Sequence, residues 1–122
     1  MAEKISSFKD LMTWQQAYEL ALNVYEITKS FPEDEKFGLT NQLRRASVSV
    51  ASNIAEGFSR QTKKDKIHFY HMSMGSLSEV ECQLLIAQGI GYVHEGELQA
   101  IRDLLMSAGR LMTGLIRSAE AK

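Results

Sequence analysis

Residues 35–57 read EKFGLTNQLRRASVSVASNIAEG. Leu39, Leu43, Ala46, Val50 and Ile54 recur at steps of three and four, the period of one face of a helix. The Ala and Ser richness of 46–55 lets a neighbouring helix approach closely. Just upstream, Phe31-Pro32 sets a boundary, because proline excludes the preceding residue from helical geometry. Glu33, Asp34 and Glu35 then fall where a helix N-terminus favours negative charge. Just downstream, Gly57 to Gln61 breaks the pattern. The stretch predicts one helix over about 35–57.

The flanking sequence repeats this grammar. Before Pro32, Leu11, Trp14, Tyr18, Ala21, Val24 (or Tyr25) and Thr28 mark a helix over about 8–30. After the break, Thr62 with Asp65 resembles a capping box, with Asp in place of the usual Glu or Gln. A third helix follows over about 63–88, with Ile67, Tyr70, Met74, Leu77, Leu84 and Ala87 inward, until Gly89-Ile90-Gly91 signals a C-cap and turn. The fourth spans about 96–119, with Leu98, Ile101, Leu105, Ala108, Met112 and Leu115 inward. One proline and no Asn-Gly hairpin signal leave no strand reading. Four helices of about 33–39 Å with short connections predict an all-α, antiparallel up-down-up-down four-helix bundle. At 122 residues, the chain 1–122 is expected to be a single domain.

No apolar run approaches the roughly 18–20 residues of a membrane span. Met1 to Phe8 carries Glu3 and Lys4 and no apolar core, so no signal peptide is expected, and the expected compartment is the cytoplasm. The single cysteine, Cys82, excludes an internal disulfide and a cysteine-based zinc cluster. With no cationic activator near it in sequence, Cys82 reads as a small buried hydrophobe.

The apolar stripes are wider than one bundle needs. Helix one adds Phe8, Met12, Leu20, Leu22 and Ile27 outside its narrowest stripe. Helix three adds Phe69, Met72, Val80, Leu85 and Ile86, and helix four adds Leu104, Met106, Leu111 and Ile116. A core-facing helix needs an apolar stripe of only about 100°. The excess predicts either scattered surface leucines or apolar patches that pair copies of the chain, and the second reading is favoured.

Helix two also carries a polar set. Arg45, Ser49, Ser52 and Glu56 share a face, and Asn53 lies at the edge of the core stripe, where an inward Asn implies a hydrogen-bonding role. With Gln42, and with Glu79 and Gln83 of helix three as partners, these residues read as a solvated face or as a polar network between helices or subunits. Catalysis finds little support. No Glu-x-x-His pair of the di-iron bundles occurs, and His68 and His71 have no carboxylate pair at ligand spacing. No phosphate-cradling glycine loop or nucleophile elbow is present. No enzyme, metal or other cofactor is expected; a metal-dependent site built on Glu56, Glu79, His68 and His71 is the distant rival.

Charge is uneven. Residues 1–40 hold four lysines against seven acids, 41–70 hold six basic residues against two acids, and 71–122 hold four against six, for a net charge of −1. Arg44, Arg45, Arg60, Lys63, Lys64 and Lys66 form the basic segment, the last four crowding the turn between helices two and three. Flanked by Phe58 and Phe69, this turn could meet the phosphates and bases of single-stranded RNA or DNA, or it is simply a solvated helix start. In a ring of copies each weak patch would be multiplied.

The run Phe31-Pro32-x-x-Glu35-x-x-Gly38-Leu39-Thr40-x-Gln42-Leu43-Arg44-Arg45-Ala46, then Ser49 and Ser52-Asn53-Ile54-Ala55-Glu56-Gly57, resembles the 23S rRNA intervening-sequence proteins. Phe8-x-x-Leu11-x-x-Trp14, Tyr25, Gly75-Ser76-x-x-Glu79 and Gly91-Tyr92 extend the resemblance over about 8–93. It implies a bundle assembling as a homopentamer. It also implies similarity to the accessory variability proteins of diversity-generating retroelements, which bind nucleic acid and a reverse transcriptase. Those relatives carry strongly basic surfaces, from which this near-neutral chain departs. Gln42, Arg44, Arg45, Asn53, Glu56, Gly75 and Glu79 read through the resemblance as architecture. Ser73 and His71 stand where the family is usually more apolar. The expected partners are further copies of the chain, RNA or DNA at the basic turn, or an unidentified protein recruited in their place, and no membrane.

Overall fold

Four helices account for most of the chain: α1 (Met12–Thr28), α2 (Leu39–Ser59), α3 (Lys63–Ile90) and α4 (Glu95–Ala121). The structure is a computed structural model, and it describes residues 4–122; the part of the leader assessment that falls on residues 1–3 lies outside the described residues. The helices close a ring in which α1 packs on α2, α2 on α3, α3 on α4 and α4 on α1, and among the described residues the backbones do not come close across either diagonal. Neighbours run antiparallel. Ser49 meets Ser76 while Gly57 meets Tyr70, and Arg44 meets Thr28 across the first seam. Thr13 at the start of α1 reaches Leu111 near the end of α4. The expected up-down-up-down bundle is what forms, and no helix among the described residues is long and apolar enough to cross a membrane.

The ends of the helices differ from expectation for local reasons. The chain does not enter α1 at Phe8. Phe8–Asp10 form a 3-10 turn, because the Asp10 carboxylate accepts from the backbone N–H groups of Ser6 and Ser7 at 3.0 and 3.1 Å. Leu11 then turns extended and separates that turn from α1. Glu33–Glu35 form a second 3-10 turn, so α2 begins at Leu39 rather than near 35. The acidic run still serves the helix start, through the Glu35 carboxylate, which accepts from the Leu39 N–H at 3.0 Å. The expected reciprocal box at Thr62 is one-sided: the hydroxyl accepts from the Asp65 N–H at 3.1 Å. Gly91, at φ +97°, is the left-handed residue that ends α3, with Tyr92 N–H closing onto the Ala87 carbonyl at 2.9 Å. The helices are consequently unequal, 17, 21, 28 and 27 residues.

Gly57, expected to break α2, lies inside it and is buried. A Cβ there would stand 2.6 Å from the Tyr70 ring, so glycine is what lets α2 and α3 close at this level.

The core confirms the stripes of α2 and α4 and rotates that of α1. Leu43, Ala46, Val50 and Ile54 are buried, as are Leu98, Ile101, Leu105, Ala108 and Met112, with Ile116 rather than Leu115 finishing α4. In α1 the buried residues are Thr13, Ala17, Leu20, Val24, Ile27 and Thr28, so Val24 and Thr28 of the expected stripe face inward, whereas Tyr18 is exposed and Trp14 and Ala21 are half-buried. Two apolar lines lie side by side on this helix. The aliphatic one fills the narrow interior and the aromatic one takes the rim, where a tyrosine keeps its hydroxyl in water.

Candidate functional site

The polar seam between α2 and α3 is built from small residues. Asn53 Nδ2 donates to the Ser49 carbonyl at 2.9 Å and to Ser49 Oγ at 3.0 Å, and that hydroxyl shares a hydrogen bond with Ser76 Oγ at 2.9 Å. Ser73, fully buried, donates to the Val50 carbonyl at 2.7 Å. Of the residues expected in this network Ser49 and Asn53 join it. Gln42, Arg45 and Glu79 are exposed. Glu56 pairs with Arg60 at 3.1 Å along its own helix. Ser73 and Ser76, quoted only through the resemblance, were not expected in this network because buried serine and solvated serine look alike in a single chain. The signal available was that both fall on the α3 line that faces the Ala/Ser stretch of α2.

The basic residues have separate duties. Arg44 locks the first seam: its Nε donates to Thr28 Oγ1 at 2.9 Å and its guanidinium lies 4.7 Å from the centre of the Tyr25 ring. Thr28 passes the bond on, donating to the Val24 carbonyl at 2.7 Å. Lys66 reaches back to the end of α2, where its ammonium donates to the carbonyls of Gly57 and Phe58 at 3.0 and 2.9 Å. It caps the Phe58 carbonyl and gives the Gly57 carbonyl, which also accepts from the Arg60 N–H at 3.2 Å, a second donor. Arg60, besides its pair with Glu56, lies 4.6 Å from the centre of the Phe69 ring. Lys63, Lys64 and Arg45 are exposed and make no ion pair among the described residues. The turn is therefore basic, but half of its cations already hold the fold.

A strongly apolar concavity follows the α1–α2 seam. Trp14, Tyr18, Leu22 and Tyr25 on one side and Val48, Ala51 and Ala55 on the other line a groove of about 430 Å³. Tyr18, Leu22, Tyr25 and Val48 each keep between 43 and 48% of their surface in solvent. Trp14 stacks on Tyr18 with ring centres 5.2 Å apart. On the opposite side of the ring, Leu85 of α3 and Met106 of α4 are 57 and 62% exposed beside a groove of about 140 Å³ that Glu81 and Arg102 also line. Of the apolar excess seen in the sequence, Met12, Leu22, Met72, Leu85, Ile86 and Met106 face solvent. Leu20, Ile27, Val80 and Ile116 instead complete the core, and Phe8, Phe69, Leu104 and Leu111 are half-buried.

Cys82, expected to be buried, is exposed on the outer face of α3. The core line there passes through Val80 and Leu84, placing position 82 on the far side of the helix. His68 and His71 are likewise exposed. Among the described residues no group of three or more His, Cys, Asp or Glu side chains is placed to hold a metal ion.

The chain matches the family model of the 23S rRNA-intervening sequence proteins over residues 9–114. It belongs to that family. A solved structure of a protein of unknown function from the S23 ribosomal protein family of Bacteroides thetaiotaomicron superposes with a TM-score of 0.77. The two are 19% identical, covering 86% of this chain and 98% of the other, so they share the fold. No curated protein matches the sequence. In this intervening-sequence protein, several residues that carried the resemblance act as architecture. Glu35 holds the start of α2 and accepts from the Tyr92 hydroxyl at 2.8 Å, while Phe31 packs on the Tyr92 ring. Arg44 ties α1 to α2, and Gly57, Ser49, Asn53 and Ser76 set the α2–α3 distance.

Proposed function

We propose that this intervening-sequence protein is a non-enzymatic scaffold that works as a homo-oligomer, a ring of bundles. The observation that carries the reading is the aromatic α1–α2 groove set opposite a second, different apolar surface on α3 and α4. Burying a large apolar side chain is worth about 1.5–3 kcal/mol, so four half-exposed residues in one groove favour a partner. Two unlike surfaces on opposite sides make a head-to-tail contact, which closes into a ring when the rotation per copy allows it. Family resemblance supports five copies. Such a ring would repeat Lys63 and Lys64 around one rim, giving weak RNA or DNA contact through many small sites. Recruitment of another protein by the same ring is the competing role.

A mixing experiment tests the assembly. Leu22→Glu should disable one surface and Leu85→Glu the other, each leaving a folded single copy by light scattering. Mixed together, the two variants retain one intact surface each and should form a dimer and nothing larger. Wild-type assembly that survives both substitutions would overturn the reading.

A further inference from the structure

Where α2 ends, α3 begins and α4 ends, the bundle opens a cavity of about 550 Å³, the size of a small-molecule site. Its apolar wall is formed by Leu11, Phe58, Tyr70 and Leu115, and its rim by Lys63, Lys66 and Lys122, with no acidic side chain lining it among the described residues. Among the described residues, three cations stand around this apolar wall and no carboxylate side chain lines it with them. Lys66 is the centre of that set. Two of its N–H bonds are used on the Gly57 and Phe58 carbonyls, and the ammonium has a third. Burial, and then repulsion from Lys122, hold it below the ordinary lysine pKa of 10.5. An anion seated between the two ammonium groups would remove that repulsion. Both neighbouring rings, Phe58 at 5.5 Å and Tyr70 at 6.0 Å, lie close enough to Lys66 to pack against whatever the ammonium holds.

We propose that this cavity binds a small amphipathic anion, its carboxylate or phosphate headgroup between Lys66, Lys122 and Lys63 and its apolar body against Phe58, Tyr70 and Leu115. The site lies at the end of the bundle and is lined by different residues from the two apolar surfaces proposed for assembly.

Calorimetric titration of the full chain with decanoate and decyl phosphate, against decanol and inorganic phosphate, tests the site. Either amphiphile should bind, and the two together separate a carboxylate from a phosphate headgroup. Decanol should bind at least about tenfold more weakly, and phosphate alone should give no measurable heat. Lys122→Met, at an exposed position, should weaken the amphiphile about fivefold, the size of one partly screened charge pair. Lys66→Met should weaken it further where that variant folds. Ser118→Trp, at an exposed position on the rim, should block the cavity and abolish binding without touching the core. Decanol binding as tightly as the charged amphiphiles, an unchanged affinity in Lys122→Met, or no heat from either amphiphile with folded protein would each overturn the proposal.

Discussion

Replacing Gly57 by alanine should destabilise the bundle by a mechanism the structure makes quantitative. The added Cβ would stand 2.6 and 2.8 Å from two carbons of the Tyr70 ring and 3.2 Å from the Lys66 carbonyl oxygen. Carbon atoms prefer about 3.5–4.0 Å, so the ring or the helix must retreat by roughly 1 Å. Tyr70 is only 2% exposed, and the third contact is backbone, so neither can swing aside. Forcing one methyl into such a site costs about 1–3 kcal/mol. Against this, alanine in a helix gains about 1 kcal/mol over glycine. Gly114, in α4 with nothing within 4 Å of its hypothetical Cβ, measures that gain alone. Gly114→Ala should therefore be up to about 1 kcal/mol more stable than wild type, and Gly57→Ala about 1–3 kcal/mol less stable than Gly114→Ala. For a chain of this length the gap is worth roughly 3–10 °C in Tm. Urea and thermal unfolding followed by circular dichroism, at matched protein concentration, read both. A Gly57→Ala variant as stable as Gly114→Ala would refute the close approach of α2 to Tyr70.

Thr28→Val removes the acceptor of Arg44 Nε and should cost about 1–2 kcal/mol in urea unfolding; a loss within error would show that Arg44 finds water instead. The Glu35 carboxylate is held below its ordinary pKa of 4.5 by the Leu39 N–H and then by the Tyr92 hydroxyl. Its stabilisation is therefore full above pH 4.5 and disappears as pH falls through the lowered value. The stability gap between wild type and Glu35→Gln should close over that acid range, and a gap independent of pH would contradict the bond. Tyr92 is raised above its ordinary 10.0 by the same contact, so the contribution should also fade as pH climbs past 10. Reversing Lys63 and Lys64 to glutamate should flatten the salt dependence of single-stranded RNA retention by about 1.4 in log–log slope per copy, two phosphate contacts' worth. An unchanged slope in filter binding would leave the turn with no phosphate role.

How much the chain disclosed depended on the kind of signal. Helix number and order were legible because Pro32, the Gly57–Gln61 break and Gly91 punctuate four long periodic stretches. The inward lines of α2 and α4 were legible because their polar faces are unambiguous. The α1 face was not, since Leu20 and Ile27 run beside Trp14 and Tyr18, and periodicity alone does not separate two apolar lines one residue apart. Nor does charge in a sequence say whether it is spent. Lys66 and Arg44 look like surface cations until the carbonyls of Gly57 and Phe58 and the Thr28 hydroxyl are placed beside them. The polar seam was half legible, through Asn53, because an asparagine inside a helix demands a partner. Ser49 is that partner, and its hydroxyl in turn meets Ser76 of α3, a contact that periodicity does not mark.

The proposed assembly turns on whether the outward aromatic groove is covered by another copy. Native mass spectrometry of the full chain at micromolar concentration decides it most directly. The account predicts one closed species that is a whole multiple of 13.7 kDa, with five copies expected from the family resemblance. A single 13.7 kDa species persisting at that concentration would contradict it.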